Sequence, residues 1–170
     1  MPTPTRTRLT IRGVVRALRN DGAMGFTFRR CTGHWPWEAD IVRLRTALHR
    51  TAALRDGWWG PGSLATEPAA AGVAGRLVEL ADRRLGASLA SFMLGPSSGS
   101  AGGIVIESIV GDLCLTLDID AAGQQGYFVA DDRSTDALAE GLAPLEPNDV
   151  LAFWRTGTIP ASAVRPADLE

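Results

Sequence analysis

The stretch Gly103–Ala130 reads GIVIESIVGDLCLTLDIDAAGQQGYFVA, and its alternation decides the fold. Ile104, Ile106, Ser108 and Val110 alternate with Val105, Glu107 and Ile109. After Gly111-Asp112, Leu113, Leu115, Leu117 and Ile119 alternate with Cys114, Thr116, Asp118 and Asp120. Two period-2 runs around a Gly-Asp pair predict a β-hairpin with a two-residue turn, and glycine at the first central position suits type II′. Such a turn fixes the register, placing Val110 opposite Leu113, Ser108 opposite Leu115, Ile106 opposite Leu117 and Ile104 opposite Ile119. One face then carries seven aliphatic side chains and a serine. The other pairs Glu107 with Thr116 and Val105 with Asp118, a mixed face expected to be wetter. At roughly 1.5–3 kcal/mol per buried aliphatic side chain, the first face requires a helical lid. Ala121–Gly126 reads as a flexible loop and Tyr127–Ala130 as a third short strand.

Working outward, Pro68–Leu85 is the expected lid. Val73, Leu77, Leu80 and Ala81 form a stripe with Ala70 and Ala74 beside it, while Arg76, Glu79, Asp82 and Arg83 face water. Thr66 or Glu67 can cap this helix, Pro68 suits its first turn and Gly86 its end. Glu79 and Arg83 make a favourable i,i+4 pair. Glu38–Arg55 predicts an earlier helix with Ile41, Leu44, Leu48 and Ala52 inward, acids in the first turn and Arg55 in the last, in keeping with the helix dipole. Between the two, Asp56–Ser63 (DGWWGPGS) is a tight aromatic loop. Trp58 is expected to cap the sheet core and Trp59 to offer its indole to a partner. Leu94–Gly103 reads as a Gly-rich linker. Beyond the meander, Ser134 is expected to cap a short helix through Glu140, and Asn148 to cap Asp149–Arg155 with Leu151 and Trp154 buried.

The fold class is therefore α+β: an antiparallel β-meander packed on one face by two or three α-helices. Residues 1–37 form an Arg-rich N-terminal segment in which NDG followed by MGFTFRR favours a β-hairpin across Asn20–Gly25. Residues 38–155 form the core domain and residues 156–170 a tail.

The net charge of −2 conceals a division along the chain. Residues 1–55 hold eleven arginines against three acids, a surplus of eight positive charges; the rest holds six arginines against sixteen acids, a surplus of ten negative charges. The chain contains no lysine. A basic part and an acidic part can fold against each other or face charged partners. No apolar run approaches the ~20 residues of a membrane span, and the first residues lack the apolar core of a secretory signal, so a cytoplasmic protein is expected. Two cysteines make no disulfide framework, and Cys114 reads as a small core residue.

DGWWGPGS, then a helix, then a Pro/Gly stretch, then GGIVIES, GD and LDID resembles a pattern in a family of small bacterial proteins. That pattern is a Trp-Asp-Gly-x-Gly-Ser loop, a helix, and an Asp-Gly-Gly-Ile-x-Leu-Glu-Trp strand opening a meander. The resemblance spans about Leu54 to Val129 and departs at Trp59, where the pattern has Asp, and at Ser108, where it has Trp. It implies an accessory or antitoxin-type protein and marks Glu107 and Gly57–Ser63 as family features; it implies no reaction.

Catalytic constellations are sparse. Cys31 and His34 form half a metal site, short of the three or four ligands zinc requires, and His49 lies on the first helix. Glu107, Asp118 and Asp120 share a sheet face, with Glu107 diagonal to Asp118 and close enough to raise one pKa. No phosphate loop, nucleophile elbow or zinc motif is present, and no cofactor is expected. The leading reading is a non-enzymatic protein-binding module of antitoxin, immunity or accessory type, holding a partner or a second copy through Trp59, Glu107, Asp118, Asp131 and Asp132. A nucleic-acid-binding regulator using Arg6, Arg8, Arg12, Arg16, Arg19, Arg29 and Arg30 is the alternative. A small carboxylate-based enzyme is the third.

Overall fold

The computed structural model describes residues 41–85, 90–97, 101–131, 137–142 and 144–160. Among them are three helices, α1 (Ile41–Ala52), α2 (Pro68–Arg84) and α3 (Pro147–Thr156). Five strands, β1 (Ser91–Pro96), β2 (Ile104–Val110), β3 (Leu113–Ile119), β4 (Gln125–Asp131) and β5 (Ala137–Gly141), form one antiparallel sheet in sequence order. The chain is thus an α+β protein built on a β-meander.

The hairpin register matches the expectation at every pair from Val110–Leu113 to Ile104–Ile119. Gly111 has φ +61°, and among the described residues no non-glycine residue, Asp112 included, has positive φ. That combination is the type II′ turn, whose twist suits the flanking strands. The sheet is wider than the three strands expected. Ser91–Pro96, part of it read as linker, pairs with β2, and Ala137–Gly141, read as helix, pairs with β4. Both corrections have one cause. Pairing with a strand whose register is already fixed overrides weak local preference, including the Gly-Pro ending of β1 and the Ala-Leu-Ala-Glu of β5.

The first face of the sheet is the core. Phe92, Ile104, Ile106, Leu115, Leu117, Ile119 and Val129 are fully buried there. α2 lies over it as expected, burying Ala70, Ala74, Leu77, Val78 and Ala81. These small residues bring the helix close. A Cβ on Gly123, in the β3–β4 loop, would sit 3.2 Å from Val73 Cγ2 and 3.3 Å from the Ala69 carbonyl oxygen. α1 packs on α2 and β1 through Leu44 and Leu48, and the Arg45–Asp82 ion pair crosses between the helices. The Arg83–Glu79 pair forms along α2. The N-caps of α2 and α3 are Glu67 and Glu146, neither making a side-chain cap bond, and each helix opens on proline. Thr66 instead donates to the Thr51 carbonyl, and Asn148 is inside α3.

α3 explains the lone serine of the aliphatic face. Ser108 lies opposite Phe92, and its small side chain admits the indole of Trp154. Trp154 Nε1 donates to Ser108 Oγ at 2.9 Å, Ser108 Oγ donates to the Leu115 carbonyl at 3.2 Å, and Trp154 meets Phe92 edge-on at 5.0 Å. Every polar atom in this buried group has a partner, which is what burial demands.

Candidate functional site

The second face of the sheet holds the chemistry. The registers align Met93, Glu107, Thr116, Phe128 and Glu140 as one row across all five strands. The next row runs Gly95, Val105, Asp118 and Gly126. The row on the other side holds Ser91, Ile109, Cys114 and Ala130. Three carboxyls, from Glu107, Asp118 and Glu140, therefore stand on a face whose other members are mostly apolar or small. Cys114 belongs here and not to the core cluster.

This face is not the hydrated surface expected. Glu107 is only 7% exposed, as is Val105, and Ala130 is 6% exposed. No described residue donates a hydrogen bond or ion pair to Glu107, and burial alone pushes its pKa up to about 8. It is therefore mostly a neutral carboxylic acid at pH 7. Asp118 is also raised, chiefly by burial. A hydrogen bond from Ser97 opposes that shift and the charge of Asp120 adds to it. The cause is thus desolvation, where the diagonal spacing had suggested repulsion between Glu107 and Asp118. Asp118 Oδ1 and Glu140 Oε2 are buried with no hydrogen-bond partner among the described residues. Asp120 turns away to accept the Gln124 N–H at 2.7 Å, ordering the β3–β4 loop.

The other expected site residues lie elsewhere. Trp59 projects from the α1–α2 loop, on the helical side of the sheet, and is 50% exposed. The loop is locked by its own bonds: Gly57 N–H to the Ser63 carbonyl (2.8 Å), Trp59 N–H to Ser63 Oγ (3.1 Å) and Ala65 N–H to Asp56 Oδ1 (2.7 Å). Trp58 does not cap the core. It is half-buried, donates Nε1 to the Leu64 carbonyl, and packs tilted against Trp59 at 5.9 Å between ring centroids. Asp131 pairs with Leu113 at the far end of β4, on the first-face side, apart from Asp118. Asp132, Cys31, His34 and the seven arginines from Arg6 to Arg30 lie outside the described residues. Of the four described partner contacts, Trp59 and Asp131 therefore lie apart from the face that holds Glu107 and Asp118. Glu140 escaped sequence reasoning because its segment read as helix; alternation from Ala139, once Ala137–Gly141 is taken as a strand, would have found it.

Among the described residues no group of three His, Cys, Asp or Glu could hold a metal ion, and no helix is long and apolar enough to cross a membrane. No protein-family model, curated protein or solved structure matches the chain.

Proposed function

We propose that this chain is a non-enzymatic protein-binding module, of antitoxin, immunity or accessory type, that engages its partner through the Asp56–Ser63 loop. One observation carries the reading. Trp59 exposes half of its surface from a loop that its own hydrogen bonds hold rigid, and it contributes nothing to the core cluster. Leu64, 47% exposed, extends the apolar surface beside it. A pre-ordered indole loses little conformational entropy on binding, which is why tryptophan is enriched among interface hot spots. The acidic balance of residues 56–170 favours a partner with a basic rim.

The test is co-purification of the full chain from a bacterial host extract, in parallel with its Trp59→Ala variant. Trp59→Ala should weaken capture of an enriched protein by on the order of tenfold or more while leaving the melting temperature nearly unchanged. No enriched protein with the wild-type chain, together with a monomer by light scattering, would overturn the reading.

A further inference from the structure

α1 differs from the other described helices in its charge. Its inward side faces the core through Leu44, Leu48 and Thr51. Its outward side exposes Val42, Arg43, Arg45, Thr46, His49 and Arg50, and Arg55 stands exposed just beyond its end. Residues 41–55 hold four arginines and no acid. α2, by contrast, sets Glu79 and Asp82 among its own arginines, and α3 has Asp149 as well as Arg155. One acid reaches α1 from outside, Asp82, which pairs with Arg45. Among the described residues no acid or acceptor meets the guanidinium groups of Arg50 and Arg55.

We propose that the outer side of α1 docks on the sugar-phosphate backbone of duplex nucleic acid, with Arg50 and Arg55 on phosphates and Arg43 two turns back along the same side. Charge complementarity selects the class. An arginine fork fits a phosphate in bidentate fashion. Each phosphate neutralised releases condensed counterions, so positive charge alone suffices for binding. A protein interface needs more, namely a large apolar or aromatic anchor at its centre. α1 exposes one large apolar side chain, Val42, and it lies in the first turn. A lipid surface needs an amphipathic helix whose apolar side is free to sink in, whereas that of α1 is already buried against α2 and β1. A single strand needs aromatic rings interleaved with the cations, and α1 has none. The spacing suits a duplex. Seven residues separate Arg43 from Arg50, which places them on one side of the helix and about 10 Å apart along its axis. That is close to the ~12 Å width of the major groove of B-DNA, across which phosphates of opposite strands face each other. Phosphate contacts carry no sequence information, so binding is independent of base sequence. This inference does not depend on the Trp59 reading, which concerns the loop beyond α1.

Fluorescence anisotropy of a short labelled DNA duplex, titrated with the full chain, tests it. Neutralising two to three phosphates predicts an affinity that falls about 10- to 40-fold between 50 and 200 mM salt. Arg50→Gln/Arg55→Gln should weaken binding at ~50 mM salt by at least about tenfold and lower the salt slope by about two. Arg76→Gln/Arg83→Gln on α2 removes the same charge and should stay within about threefold of wild type, because distant exposed charges are screened. All four side chains are exposed, so unchanged melting temperatures verify that both variants fold. No binding by the wild-type chain at ~50 mM salt would overturn the proposal. So would binding that Arg50→Gln/Arg55→Gln leaves intact, since the duplex would then sit elsewhere on the chain. An equal loss in the α2 variant would overturn it too, since net charge alone would then be at work. Competition by poly-glutamate as effective as by unlabelled duplex at equal charge would overturn it in favour of an acidic protein.

Discussion

The two faces of one sheet solve opposite problems. On the first, a single buried hydroxyl among aliphatic side chains is fully satisfied by Trp154 and the Leu115 carbonyl. On the second, a buried carboxyl has no described partner and keeps its proton instead. The contrast shows that burial alone does not decide whether a polar group stabilises a fold; the partner supplied for it does. The first face is a finished core. The second is a surface whose chemistry depends on what lies over it, and each substitution below tests one side of that difference.

The largest effect should come from removing the element that completes the first face. Trp154→Ala deletes a fully buried indole, its edge contact with Phe92 and its bond to Ser108. A loss of about 3–5 kcal/mol is expected in denaturant unfolding. A loss below about 1 kcal/mol would mean that α3 does not seal the sheet.

The second face should announce itself through pH. Glu107 has a folded pKa of about 8 against 4.5 for the free side chain. Folding therefore takes up a proton in that window: stability is fully present below pH 4.5 and is lost as pH rises through 8. Asp118, also raised, acts in the same direction from a lower starting value. A decrease on the order of 2–4 kcal/mol between pH 5 and pH 8.5 is expected, largely abolished in Glu107→Gln. Urea unfolding at the two pH values checks it; equal stability in wild type and Glu107→Gln across the range would show that Glu107 is not desolvated in solution.

Ser108→Ala returns to the first face with a smaller effect. It leaves the Trp154 N–H buried without an acceptor, for about 1–2 kcal/mol, with no change in pH dependence. A neutral or stabilising result would mean that the indole finds another acceptor.

How much of this was legible follows from what alternation encodes. Period 2 states which side chains share a face, so the β2–β3 register and the burial of Leu115 and Leu117 could be read directly, and the helix beginning at Pro68 followed as their cover. Period 2 does not state what lies above a face. Glu107 and Asp118 were therefore placed correctly in the sheet but assigned to water, although Glu107 is buried. The edge strands were lost for a different reason. Gly95-Pro96 and Ala137–Glu140 carry local signals for turn and helix, and only pairing with β2 and β4 makes them strands. The role of the serine among the seven aliphatic side chains could not be read, because the partner of Ser108 is forty-six residues away, beyond the reach of any local pattern.

Gly111→Ala asks what keeps the two faces distinct. Gly111 holds φ +61° in the turn that joins β2 to β3, a conformation that costs an alanine about 1 kcal/mol. A Cβ there meets open space, so no steric clash adds to that cost. If the turn alone set the register, the variant could slip by one residue, which would carry Glu107 into the core and the aliphatic set to the opposite face. Seven aliphatic side chains on one side oppose such a slip far more strongly than the turn favours it. The variant should therefore lose about 1 kcal/mol while keeping the wild-type dependence of stability on pH, because Glu107 stays where it is. A cooperative fold with the pH dependence erased would mean the reverse: that the glycine turn, and not the contrast between the faces, decides which side of the sheet each residue occupies.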